Sequence, residues 1–182
     1  DGGMSMRASI VTEIQRGHIA AGINALNDFD PEILESMGVD MALLLRLQQF
    51  LELARQENPQ AGLAFLRGII VPMVEAKEEY LPIIEDAMEI LTFGKSEVGK
   101  YMMSVEWRAF VAEATHASLM KAHGVVVRPE LLRMVASSAS NPKNDRHETP
   151  ASDLESRPDV LRSSACRLLA RVFEQACKLD NE

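Results

Sequence analysis

The sequence predicts an all-α fold, an extended array of antiparallel helical hairpins with a long C-terminal amphipathic helix folding back on it. Three observations carry that reading. Apolar residues recur at three- and four-residue steps through nearly every long segment. Proline marks three helix starts, Asp30-Pro31-Glu32, Asn58-Pro59-Gln60 and Arg128-Pro129-Glu130, because its missing N–H would have no partner at a first helical position. The one β-like run, Val125-Val126-Val127, is too short to found a sheet.

In chain order, Ser9 to Arg16 forms a first helix with Ile10, Val11 and Ile14 inward, and Gly17 ends it. His18 to Leu26 follows with Ile19, Ile23 and Leu26 on its apolar side, and Phe29 closes the turn. Pro31 to Met37 adds a turn or two before Gly38 stops it. The centre is Met41 to Arg55, where Leu43, Leu47, Phe50, Leu51 and Ala54 trace one stripe while Gln48, Gln49, Glu52 and Arg55 fall mostly elsewhere. Pro59 to Ile70 carries Leu63, Leu66 and Ile70, and Pro72 is expected to interrupt it. Glu79 to Leu91 presents Leu81, Ile84, Met88 and Leu91 on one side. After a loop at Thr92-Phe93-Gly94-Lys95, Ser96 caps a short helix through Met103. Val105 to His123 is long, with Trp107, Phe110, Val111, Ala114 and Ser118 as its stripe.

Composition bounds the function. The 182 residues, 47% hydrophobic and 25% charged, suit one extended domain or two closely packed subdomains. A net charge of -8 with no basic block argues against nucleic acid as a partner. The longest nearly apolar run, Gly68 to Val74, is too short to span a bilayer, and no signal peptide is visible, so the expected location is cytoplasmic and/or nuclear. Cys166 and Cys177 would lie about 16 Å apart along one helix, which excludes a bridge between them. Two cysteines also cannot build a zinc-binding RING.

The residues together resemble a known family. Arg7, Ile10, Ile14, Gly17, Ile19, Pro31, Ile33, Leu34, Leu47, Gln49 and the run Phe50-Leu51-Glu52-Leu53-Ala54-Arg55 resemble the CTLH motif, with its spaced isoleucines, turn glycine and closing helix. Leu81, Glu85, Met88, Leu91 and Phe93, then Arg108, Val111, Ala112, Leu119 and Gly124, are similar to the adjoining CRA motif. The resemblance implies a terminal segment at 1–6, a CTLH-like region at 7–67, a CRA-like region at 68–136 and a C-terminal CRA-like helix at 158–182. Between the last two, Ser137 to Arg157 is a polar insertion that the compact members of the family lack, and its composition predicts mobility.

Proteins of this kind include subunits of the GID or CTLH ubiquitin ligase complex and Ran-binding-protein scaffolds. The resemblance therefore implies a non-catalytic scaffold that joins other CTLH/LisH-type subunits as a homo- or hetero-oligomer. A stand-alone adaptor binding peptide helices is the alternative. A third reading, a metal-dependent enzyme, would use Glu113 and His116, one turn apart as in di-metal bundles, but no second Glu-x-x-His copy is present to complete such a site.

No catalytic, cofactor or metal residue is predicted. His18 and His123 stand beside Gly17 and Gly124 and read as helix-end residues. Glu75, Lys77, Glu78 and Glu79 read as a solvated helix start, with an acidic docking patch as the alternative. The expected module core is Leu47, Phe50, Leu51, Trp107 and Phe110. The expected interaction face is on Pro158 to Leu179: Leu161, Leu168, Leu169, Val172, Phe173 and Leu179. That helix is expected to lie antiparallel to the first hairpin around Ile10, Ile14 and Ile19, leaving an apolar strip for a partner.

Overall fold

Apolar stripes on consecutive helices can cover one another, and the chain folds so that most of them do. A computed structural model describes residues 2–75, 77–93, 96–125 and 163–177. Val126 and Val127, the start at Arg128-Pro129-Glu130, the expected insertion at 137–157, and Pro158, Leu161 and Leu179 lie outside the described residues. The helices are α1 (Gly2–Gln15), α2 (Ile19–Phe29), α3 (Ile33–Ser36), α4 (Val39–Arg55), α5 (Pro59–Phe65), α6 (Val71–Val74), α7 (Leu81–Phe93), α8 (Glu97–Met102), α9 (Val105–Ala122) and α10 (Ser164–Cys177). Among the described residues there is no strand.

Local chemistry sets the boundaries. The Asn58 side chain accepts from Ala61 N–H at 3.0 Å with Pro59 just behind it, and Ser96 Oγ accepts from Gly99 N–H at 3.1 Å, as expected of caps. A third cap, Ser104 Oγ accepting from Trp107 N–H at 3.1 Å, was not foreseen. Gly17 ends α1 at φ +86, where an added Cβ would also meet the Arg108 guanidinium at 3.0 Å. Pro31 is not a first helical residue as expected but sits in a turn ahead of α3, where the Asp30 side chain accepts from Glu32 N–H at 2.9 Å.

Several boundaries differ from expectation. α1 begins at Gly2 rather than at Ser9, and α7 runs on through Thr92 and Phe93, which were expected in a loop. Pro72 does not interrupt its helix: residues Leu66–Ile70 open into a π-helical turn, with Val71 N–H donating to the Leu66 carbonyl, and α6 continues through the proline. Proline normally crowds the carbonyl one turn earlier and removes a hydrogen bond, and a widened turn placed just before it relieves both problems.

α4 and α9 form the centre. α4 packs against α2, α3, α5, α9 and α10, and α9 against α1, α3, α4, α8 and α10. One apolar cluster runs through all of them, and the expected core residues Leu47, Phe50, Leu51, Trp107 and Phe110 are buried in it. α9 buries nine of its 18 residues, and much of that buried surface is small: Ala112, Ala114, Ala117 and Ser118 let neighbours approach closely. The hydroxyl of buried Thr115 is satisfied by the Val111 carbonyl at 2.8 Å.

Three packing expectations are corrected. Gln48 is fully buried rather than outward, because its amide donates to Glu52 Oε1 at 2.7 Å. α7 turns Ile83, Ala87 and Ile90 inward, leaving Ile84 and Leu91 half-buried and Leu81 and Met88 exposed. α10 takes α9, α4 and α7 as its main partners, not the first hairpin, whose Ile10, Ile14 and Ile19 are covered where α1, α2 and α9 meet. Consequently Leu168, Leu169, Val172 and Phe173, expected to face a partner, are buried inside this chain.

Candidate interaction site

Which faces remain available for a partner depends on how α10 is held, and polar joints at both its ends and its middle hold it. At its start, Asp86 of α7 accepts from Ser164 N–H at 2.9 Å and Ser163 Oγ accepts from Cys166 N–H at 3.2 Å. Carboxylate and hydroxyl thus satisfy N–H groups that the helix itself leaves open. At its end, Lys121 Nζ of α9 donates to the Gln175 carbonyl at 2.9 Å, which places the C-terminal ends of α9 and α10 together. A cleft of about 430 Å³ lies there, lined by Ser36, Gly38, Ser118, Lys121 and Gln175 among others. Burial pushes the Cys166 thiol up to about 11, so it is a packing group rather than a nucleophile at neutral pH.

The middle joint is built on Asp40, in the first turn of α4 and only 6% exposed. Its carboxylate accepts from Tyr80 Oη at 2.5 Å, Gln175 Nε2 at 2.8 Å and Arg171 Nη2 at 3.3 Å. Arg171 also donates to Glu79 at 3.2 Å and lies 4.9 Å from the Tyr80 ring centroid. Burial, reinforced by the bond to Asp40, pushes the Tyr80 hydroxyl up to about 12, which keeps it a donor. Asp40 therefore ties α4, the 3-10 turn Glu78–Tyr80 and α10 together. Asp40→Asn turns one acceptor into a donor facing Gln175 or Arg171. We expect amide exchange in 164–177 to quicken at least about tenfold, equivalent to 1.4 kcal/mol of opening free energy, while α1 and α2 keep their protection. Hydrogen-exchange mass spectrometry reads the difference.

A second joint locks α4 to α9. Arg108 Nε and Nη2 each donate to the Glu52 carboxylate at 2.6 Å, a bidentate pair between mostly buried side chains. The hydrogen bonds to Glu52 raise the Arg108 guanidinium further above its ordinary value. Arg55 reaches Glu52 at 3.6 Å and donates to the Met103 carbonyl ahead of α9. The resemblance marked Glu52 and Arg108 separately, and the fold brings them into contact. Asp40, Tyr80, Arg171 and Gln175 were not singled out; the visible signal was Arg171 and Gln175 one turn apart on α10.

Glu113 and His116 sit one turn apart on a half-buried edge of α9. Among the described residues no group of three or more potential ligands gathers around a metal-sized space. Burial raises the Glu113 carboxyl above its ordinary value of 4.5. A raised folded-state value favours the folded chain while the group is protonated, and this benefit is lost as pH rises through that value. Glu113→Gln should therefore melt like the parent in acid and above it at neutral pH, as paired thermal melts would show. His18 Nδ1 instead pairs with Glu13 at 2.9 Å, and the His123 ring meets Phe29 edge-on with centroids 5.2 Å apart.

A family model described as CTLH/CRA C-terminal to LisH motif domain matches residues 4–146. The Glucose-induced degradation protein 8 homolog of Nematostella vectensis is 24% identical over 131 residues, covering 71% of this chain and 58% of that protein. The Protein GID8 homolog of Arabidopsis thaliana is 24% identical over 127 residues, 69% of this chain and 52% of the relative. GID complex subunit 8 of Schizosaccharomyces pombe is 29% identical over 141 residues, with 71% and 58% covered. The chain thus spans between half and three fifths of the length of these relatives. No solved structure matches.

Proposed function

This chain belongs to the CTLH/CRA C-terminal to LisH motif domain family, and from that premise we propose that it is a non-catalytic helical subunit holding other proteins together in a GID/CTLH-type ubiquitin ligase. The observation that carries the reading is the family match over 4–146 together with relatives named as GID complex subunit 8 or its homologues. The geometry supports it from a second direction. The buried Asp40 and the partly buried Glu52, Arg108 and Arg171 are engaged in fastening helices to one another, which suits a rigid platform. On this reading the chain associates with CTLH/LisH-type subunits, works in the cytoplasm and/or nucleus, and leaves ubiquitin transfer to a partner.

The test is affinity purification of the tagged chain from its host, followed by a ubiquitin-transfer assay on the recovered assembly and on the chain alone. The expected result is stoichiometric recovery of LisH- or CTLH-bearing subunits, with transfer only in the assembly. Transfer by the chain alone with activating and conjugating enzymes would overturn the non-catalytic role. Absence of any such subunit from the purified material would overturn the ligase role.

A further inference from the structure

Among the described residues, α7 is apolar on two sides and buries only one. Ile83, Ala87 and Ile90 enter the core, and Asp86 reaches α10, where its carboxylate meets Ser164. On the opposite side Leu81 is 45% exposed and Met88 is 41% exposed, two turns apart, with half-buried Ile84 between them. Isolated exposed apolar residues are ordinary, but a row at i, i+3 and i+7 is the seam of an amphipathic helix that has a second partner to meet. The two margins of this seam differ. One runs into α5, where Leu91 packs against Gly62. The other carries Glu85 and Glu89, both exposed.

We propose that this outer face of α7 docks an amphipathic helix of a different protein, one whose apolar stripe is flanked along one side by lysine or arginine. The apolar seam supplies the area to bury, and the glutamate margin selects the sign of the flank that lies beside it. A second copy of this chain is the poorer occupant. Antiparallel two-fold pairing through the same patch would set the two acidic margins beside each other, and parallel pairing would leave both without a cationic partner, on chains that already carry a net charge of -8. The proposal stands on the exposure pattern of α7 and not on the ligase reading, so either can fail without the other.

The test is a fluorescence-anisotropy titration of the whole chain with three labelled peptides. The first is a designed amphipathic helix with a leucine seam and lysines on one flank. The second replaces those lysines by glutamates, and the third is a scramble of the first. The lysine peptide is expected to bind about tenfold or more tighter than either control. Leu81→Ser combined with Met88→Ser should weaken it by a similar factor while the protein still melts cooperatively, a few degrees below the parent at most, since neither side chain is in the core. Glu85→Lys combined with Glu89→Lys should reverse the preference toward the glutamate peptide. Equal binding of all three peptides, or of none, would overturn the proposal, as would binding indifferent to Leu81 and Met88. Light scattering that showed a dimer abolished by the serine pair would assign the face to a second copy and equally overturn it.

Discussion

Leu47→Asp is expected to abolish cooperative folding. Leu47 is 1% exposed in the middle of α4, among Leu43, Leu44, Phe50 and Leu51, all buried. An aspartate there loses the leucine's burial, worth roughly 2–5 kcal/mol, and must also either desolvate an unpaired carboxylate or take up a proton at neutral pH. A domain holds only about 5–15 kcal/mol of margin. The same helix carries two cations, Arg46 and Arg55, and both are already engaged, Arg46 donating to Gln49 at 3.0 Å and Arg55 to the Met103 carbonyl. Circular dichroism should show a variant that is insoluble or that melts without a sharp transition. A sharp melt at the parental temperature would mean that α4 is not the centre of the core.

The same periodicity that exposes Leu47 as a core residue explains where reading the sequence succeeded. Where a helix has one apolar stripe and a polar remainder, as on α2 with Ile19, Ile23 and Leu26, the stripe names the buried face without further information. α7 carries two stripes, and periodicity alone cannot rank them. The one bearing Ile83, Ala87 and Ile90 is chosen by its neighbours, with Asp86 beside it reaching the start of α10. α10 shows the complementary limit. Its apolar face was plain from Leu168, Leu169, Val172 and Phe173, but its partner was not, because a stripe specifies how much must be covered and not by what. The choice among partners is made by Asp40, Asp86 and Lys121, single polar residues on three other helices that have no periodic signature of their own. Pro72 failed as a boundary for a different reason: a π turn is a backbone adjustment that residue types do not announce.

The Glu52–Arg108 pair gives the second large effect, and its sign depends on how it is broken. Both side chains are mostly buried, with relative exposures of 13% and 14%, and two hydrogen bonds of 2.6 Å join them. Arg108→Met leaves the Glu52 carboxylate desolvated with only Gln48 and the more distant Arg55 beside it. Glu52→Leu strands the guanidinium against the Gly17 turn in the same way. Either single change is expected to cost on the order of 3 kcal/mol, the penalty for an uncompensated buried charge. Replacing both at once removes two desolvated charges and puts apolar atoms between α4 and α9, and such exchanges are often neutral or stabilising. The double variant should therefore unfold near the parental denaturant midpoint while each single variant falls well below it. Midpoints from urea titrations, with unchanged slopes, measure this directly. If the two single costs simply added in the double variant, the pair would not be coupled, and the joint between α4 and α9 would rest on the apolar packing around Trp107 and Leu51 alone.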